Sequence, residues 1–340
     1  MPTTVLVTGG AGFIGSHTCV ELLRNGHSVV VVDDLSNSSP QALARVEQIS
    51  GKPVHAFHRV DIRDRSALAD VFTRHRPDAV IHFAARKAVG ESVALPVEYY
   101  DTNVAGTLTL LSVMHEHHVR RLVFSSSCSV YGNATKVPLG ELDPVGPTNP
   151  YAASKLICEQ VLADLCRRLP DWQVLALRYF NPIGAHASGL LNEEPRGALN
   201  NIMPLLTRIA VGRLNRLDVY GDDYPTADGT GVRDYIHVVD VAEAHRTAVE
   251  RIGEANGMRT FNLGTGQGTS VLQLVREFER VSGRTIPYRV TGRRPGDVAV
   301  LVADPTAVAR AWNWTTTRDL TAMCRDAWRA QQRNPAGYRA

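Results

Sequence analysis

Tyr151 and Lys155 stand four residues apart in the stretch NPYAASK, immediately after Pro150. A proline suits the first turn of a helix, and the i, i+4 spacing puts phenol and ammonium on one helix face. A free phenol titrates near about 10, and a neighbouring cation favours its ionised form. The pair therefore suits a general base that takes the proton of a hydroxyl group. A second source of hydroxyls is the run Phe124-Ser125-Ser126-Ser127-Cys128-Ser129, which ends an apolar segment. One such serine can hold a substrate oxygen and relay a proton to the phenol, while its neighbours satisfy strand-end backbone groups. Residue type alone leaves the choice among the three open.

The amino terminus supplies the partner for that chemistry. Val5 to Thr8 runs into Gly9-Gly10-Ala11-Gly12-Phe13-Ile14-Gly15, and a helix is expected to begin near Ile14. Gly9, Gly12 and Gly15 have the G-x-x-G-x-x-G spacing of a strand-to-helix turn, where missing side chains let backbone N–H groups and a helix N-terminus approach a pyrophosphate. Asp33 ends the following apolar run, Val29 to Val32, at roughly the ~20-residue distance of a ribose-binding carboxylate. A carboxylate there accepts from both ribose hydroxyls and repels a 2′-phosphate, so NAD is expected rather than NADP. Asp61-Ile62 has two readings: a contact to the adenine, or a helix cap at Asp61.

These residues need a frame that brings strand ends together. Short β-branched runs at 4–8, 29–33, 55–60, 79–83, 121–125 and 174–179 alternate with amphipathic stretches. Near-continuous apolar strands separated by helices predict an α/β fold with a parallel sheet covered on both faces, a doubly wound Rossmann-type domain. After Asn181 a Gly/Pro/Asn-rich passage runs to about Gly231, with one helical stretch near 203–212. We expect residues 1–181 to form the cofactor domain, with 234–251 returning to it, and 182–340 to form the smaller substrate lobe.

Composition narrows the class. The 340 residues carry a formal charge of +3, 44% hydrophobic and 21% charged residues, with Lys and Arg scattered rather than clustered, which argues against a nucleic-acid surface. Five cysteines, at 19, 128, 158, 166 and 324, form no C-x-x-C pair, so neither a disulfide framework nor a zinc site is expected and the metal expectation is none. No signal-peptide pattern and no run of about 20 apolar residues are visible, so a cytoplasmic protein away from membranes is expected.

The stretches VLVTGGAGFIGSH, HFAARKAVGES, FSSSCSVYG, NPYAASK, LRYFNPIGAH and DGTGVRDYIHV together resemble the extended branch of the short-chain dehydrogenase/reductase superfamily, specifically its UDP-glucose (UDP-galactose) 4-epimerase family, over nearly the whole chain. That resemblance selects Ser127, with Tyr151 and Lys155, as the catalytic trio. It implies that Phe13, Ile14, Asn37, Phe83, Ala84, Lys87, Asn103 and Tyr179 join the glycines, Asp33, Asp61 and Ile62 around NAD. It also implies that Asn181, Asn201, Tyr220, Arg233, Arg294, Asp297 and Leu301 hold a UDP-sugar, the arginines on the diphosphate and Asp297 on the uridine ribose. Arg293 is adjacent to Arg294, and which one faces ligand stays open in the sequence.

The reaction so implied is inversion at C4 of UDP-galactose or UDP-glucose through a 4-keto intermediate and bound NADH. A nucleotide-sugar 4,6-dehydratase is the nearest rival, but the Asp-Glu pair that follows the serine or threonine in that family is here Cys128 and Ser129. A decarboxylase of the same fold ranks below it. A non-enzymatic NAD-sensing protein would have no need of Ser127, Tyr151 and Lys155 together. Leu301 falls where strict UDP-galactose epimerases carry tyrosine, which leaves room for an N-acetyl group at C2, as in UDP-GlcNAc and UDP-GalNAc. The family usually forms homodimers, and helices over 97–117 and 154–168 have the length to pair about a two-fold axis.

Overall fold

The computed structural model describes residues 3–134, 136–197, 199–294 and 296–338. The first half alternates strands and helices: β1 (Thr4–Thr8), α1 (Phe13–Arg24), β2 (Ser28–Val32), α2 (Pro40–Ser50), β3 (Ala56–His58), α3 (Arg65–His75), β4 (Ala79–His82), α4 (Val89–Ala94), α5 (Pro96–Tyr100), α6 (Gly106–Glu116), β5 (Arg121–Ser127), α7 (Pro150–Arg168) and β6 (Gln173–Tyr179). A π-helical turn, Asp101–Ala105, joins α5 to α6. β7 (Asn181–Ile183), α8 (Ile202–Ala210), β8 (Leu217–Tyr220), β9 (Val232–Arg233), β10 (Tyr235–His237), α9 (Val238–Arg251) and β11 (Gly257–Leu263) follow. The chain then forms β12 (Thr269–Ser270), α10 (Val271–Ser282), β13 (Tyr288–Thr291), β14 (Val300–Leu301), α11 (Thr306–Trp312) and α12 (Leu320–Arg333).

The central sheet has seven parallel strands in the order β11-β6-β5-β4-β1-β2-β3. Alternation along β1 explains why both faces are covered. Val5 and Val7 pack with Cys19 and Val20 of α1 and Val241 of α9, whereas Leu6 packs with Phe72 of α3, Leu110 of α6 and Leu162 of α7. Burying both faces is what makes these strands read as unbroken apolar runs. Strand order reverses between β1 and β4, so the loops after those two strands diverge and leave a crevice at their carboxyl ends.

The return of the chain to this sheet differs from the expectation. Helix α9 does pack on α1, but the preceding strand β10 pairs with β7 in a separate two-stranded sheet. The strand that joins the main sheet is β11, which lies within the range assigned to the substrate lobe. It is an edge strand whose first four residues are exposed or only partly covered, so its sequence, GMRTFNL, lacks the apolar run that marks the others. The smaller lobe has its own core, in which Leu206 of α8, Leu274 and Phe278 of α10 and Trp328 of α12 pack together.

Candidate active site

The turn after β1 is built for close approach. Gly9 has φ 70°, and a Cβ there would lie 2.7 Å from the Ala84 amide nitrogen at the end of β4. A Cβ on Gly15 would meet the Gly9 carbonyl oxygen at 2.2 Å. Gly12 is the N-cap of α1, which has no side-chain cap and no acidic residue in its first turn, so its N–H groups are left for an anion. Phe13, Ile14, Phe83, Ala84, Asp33, Asn37, Asp61, Ile62, Lys87, Tyr151, Lys155, Tyr179 and Asn201 line a single cleft of about 800 Å³ with these glycines. A glycine cradle, an uncapped helix start and a carboxylate at the next strand end in one elongated cleft fit a dinucleotide.

Asp33 is held firmly. Its carboxylate accepts from the Ala11 amide at 3.0 Å, the Leu35 amide at 2.9 Å and the Ser38 hydroxyl at 2.7 Å. Burial pushes its pKa up, and those three bonds oppose the shift. Asp61 is not the cap of the next helix: Asp64 caps α3 by accepting from the Ala67 amide at 3.0 Å. Asp61 instead accepts from the guanidinium of Arg63, which also bridges to Asp101, and this pairing holds the Asp61 carboxyl below its ordinary range.

The catalytic trio assembles at the carboxyl end of β5 and the first turns of α7. Asn149 caps α7 by accepting from the Ala152 amide at 2.9 Å, which fixes where Tyr151 projects. The Ser127 hydroxyl lies near enough to the Tyr151 phenol to oppose the rise of its pKa, and it accepts from the hydroxyl and amide of Ser129 at 2.9 and 3.2 Å. Lys155 donates to the Ser125 carbonyl at 2.7 Å and lies 5.0 Å above the Phe124 ring. Ser125 donates to Tyr179 at 3.0 Å and Ser126 to Glu159 at 2.5 Å, so the serines have three distinct partners. Burial pushes the Tyr151 phenol well above its ordinary value, with Tyr179 adding to the shift. Burial pushes Lys155 down to about 8. The upward shift of Tyr151 opposes the ionised phenol that a neighbouring cation favours.

The second half of the constellation lies across the smaller lobe. β9 pairs with β14 so that Leu301 stands beside Arg233. Leu301 is buried against Cys128, Tyr131 and Phe180, which ties this lobe to the Ser127 end of β5. Arg233 is mostly covered and lies 4.0 Å from Asp297. The two adjacent arginines separate clearly. Arg293 is committed to Asp223, with two contacts at 2.7 Å, and covers Tyr224. Arg294 stacks 4.3 Å over the Tyr220 ring and, among the described residues, has no ion pair, so its guanidinium is the available one. Asn181 keeps a buried side-chain oxygen without a protein partner, as expected of a group that meets a ligand.

Residues 5–264 match the NAD dependent epimerase/dehydratase family. The chain belongs to that family. It is 52% identical over 336 residues to the UDP-glucose 4-epimerase of Bacillus subtilis (strain 168), covering 99% of both chains. It is also 52% identical over 343 residues to that of Mus musculus, again covering 99% of both. Among solved structures it resembles the UDP-glucose 4-epimerase of Bifidobacterium longum in complex with NAD+ and UDP, with a TM-score of 0.96 and 50% identity over 98% of this chain and 100% of that one.

In this epimerase/dehydratase family member, two residues in or beneath the site were not marked by the sequence. Glu193 accepts from Lys87 at 2.5 Å and from Asn201 at 2.6 Å, joining a residue expected beside the nicotinamide to one expected beside UDP. Its other carboxylate oxygen is buried without a protein partner. The signal was an acidic pair, Glu193-Glu194, inside the Gly/Pro-rich passage, and nothing local distinguished it from a solvated charge. His82 was also missed. Thr107 donates to the Asn103 carbonyl at 2.6 Å, so it accepts from His82 Nε2 at 2.9 Å, and His82 Nδ1 then accepts from Thr8 at 2.7 Å. Thr8 accepts in turn from the Ala84 amide at 3.3 Å. This directed chain ties the glycine turn to the π-helical turn, and burial keeps His82 neutral with its pKa pushed down to about 3. Asn103 spends its side chain on protein groups, bonding the Arg86 backbone at 2.8 and 3.0 Å and Ser154 at 2.9 Å, so it acts by positioning.

Proposed function

We propose that the chain is a UDP-sugar 4-epimerase that interconverts UDP-glucose and UDP-galactose. The observation that carries this reading is the placement of Ser127 near Tyr151 at the carboxyl end of β5, followed directly by two residues without a carboxyl group. Cys128 and Ser129 occupy the positions where a dehydratase needs an acid/base pair. Burial pushes the Cys128 thiol up to about 12, and Ser129 spends its hydroxyl hydrogen on Ser127. Elimination of water therefore lacks its proton donor.

NAD, when bound, takes up and returns the C4 hydride and adds positive charge beside the phenol. Tyr151 then receives the proton of the 4-hydroxyl, with Ser127 holding the sugar oxygen, and gives it back on the opposite face of the ring. Lys155 supplies the cation one helical turn below the phenol. Arg233 and Arg294 fit the diphosphate because guanidinium forks match phosphate oxygens. Asp297 suits the uridine ribose, Tyr220 flanks the same end, and Asn181 and Asn201 complete the grip. Contacts remote from C4 let the ketone turn over without leaving the cleft. The buried aliphatic wall at Leu301 supports extension of the same chemistry to N-acetylated UDP-hexoses.

Two finer points belong to the same reading. Val93 and Val97, 64% and 75% exposed on α4 and α5, and Leu95, Tyr100 and Leu108 nearby in sequence are exposed apolar side chains suited to burial against a second copy of this chain. Among the described residues no helix is long and apolar enough to cross a membrane, and all five cysteines are free and buried, which suits the cytoplasm.

The deciding experiment is incubation of purified protein with UDP-galactose and no added NAD, followed by separation of the products. UDP-glucose is expected. A 4-keto-6-deoxy sugar would move the chain to the dehydratases, and no turnover of UDP-galactose or UDP-GlcNAc would favour an NAD-sensing role.

A further inference from the structure

Residues 190–197 form a strap along the wall of the cleft with no helix or strand of its own. Asn192, Glu193, Glu194, Pro195 and Gly197 line the same cavity as Asp33 and Asn37 at its adenosine end. Apart from the His186 amide, which donates to the Leu191 carbonyl at 3.1 Å, the strap is held among the described residues by side-chain tethers. Tyr338, beyond α12, provides the most specific one. Its hydroxyl donates to the Asn192 carbonyl and accepts from the Asn192 amide, both at 2.9 Å. Arg45 of α2 lies 4.3 Å over the Tyr338 ring and donates to the Leu190 carbonyl at 2.7 Å. A Cβ on Gly337 would lie 2.4 Å from the Glu194 carboxylate, so the tail lies against a side chain of the strap. On the far side, the Arg196 amide donates to Asn37 at 3.0 Å, fastening the strap to the loop that follows Asp33.

We infer that Tyr338 is a positioning residue that clasps the strap along the dinucleotide half of the cleft and sets how slowly NAD leaves. The inference rests on the NAD reading of that half. A reaction without net redox change uses the same cofactor molecule in both hydride steps, so a slow exit protects each turnover. The Tyr338 hydroxyl satisfies both backbone groups of a single strap residue, and its removal leaves that largely buried amide and carbonyl without their partner.

The test is the first-order rate at which NAD leaves the holoenzyme, followed with a coupled dehydrogenase that traps free NAD. Tyr338→Phe is expected to release NAD about tenfold faster, as loss of two hydrogen bonds implies, and to exchange amide hydrogens faster at 190–197. Arg45→Gln, which loosens the clasp from its other side, should shift the same two readouts in the same direction. Thermal midpoints of the NAD-stripped proteins separate this from a general loss of structure. A lower midpoint with unchanged release in both variants overturns the clasp. Wild-type protein that neither carries nor binds NAD overturns instead the cofactor reading beneath it.

Discussion

Lys155 donates to the Ser125 carbonyl oxygen at 2.7 Å, on the strand that also carries Ser127. The ammonium is therefore anchored to the floor of the site, and burial lowers its pKa from 10.5 to about 8. The cation exists below that value and is lost as pH rises through it. Turnover should accordingly fall above pH 8 in a kcat–pH profile. The stability sign is opposite. Below pH 8 the protein carries the full cost of a buried ammonium, roughly 3 kcal/mol at ~1.4 kcal/mol per pKa unit, and that cost fades between 8 and 10.5. Lys155→Met should raise stability at pH 7 by about 2 kcal/mol in urea unfolding, after about 1 kcal/mol for the lost bond, while cutting turnover by at least ~100-fold.

Tyr151→Phe removes the proton acceptor without emptying the fold of an apolar ring. We expect kcat to drop ~10³-fold with UDP affinity within a factor of about three, because the phenol contributes to the reacting carbon and not to the diphosphate handle. Isothermal titration with UDP beside steady-state kinetics separates the two.

Glu159 lies one helical turn beyond Lys155 and holds Arg178 through contacts at 2.9 and 2.6 Å. Its charge raises the Lys155 pKa against burial. Glu159→Gln should therefore shift the alkaline limb of the kcat–pH profile to lower pH. It should also cost about 3 kcal/mol in denaturant unfolding, since a buried guanidinium loses its counter-charge. An unmoved pH profile would show that Glu159 acts on stability alone.

Gly15→Ala places a methyl group 2.2 Å from the Gly9 carbonyl and 2.8 Å from the Gly10 Cα. Backbone on both sides leaves no soft neighbour to yield, so the turn must open. NAD affinity should weaken by about 100-fold, seen as protein purified without cofactor and a lost thermal shift on adding NAD.

Leu301 is 8% exposed and packs on Cys128 and Phe180 beside Arg233. Leu301→Tyr adds volume to the sugar side of that wall. Wild-type protein should convert UDP-GlcNAc, and the variant should lose that activity by at least ~30-fold while keeping UDP-galactose turnover within a few-fold. Product analysis with both substrates decides it, and equal losses would place Leu301 away from the C2 substituent.

The local determinants of this protein were set by sequence alone. The glycine spacing at 9, 12 and 15, the apolar runs of β1, β2, β4 and β5, the i, i+4 pair at 151 and 155 and the carboxylate at 33 each work within one turn or one strand, where spacing fixes geometry. Long-range partners were decided only in three dimensions. Which arginine of the pair at 293 and 294 is free depends on Asp223, 70 residues away in sequence. The edge strand β11 reveals itself only by pairing with β6, because an edge needs fewer apolar residues. Glu193 looks like a surface acid until Lys87, 106 positions distant, closes on it. Tyr338 meets Asn192 across 146 positions. Such contacts join residues whose own neighbours in sequence carry no trace of the partner, so only the packed fold could select them.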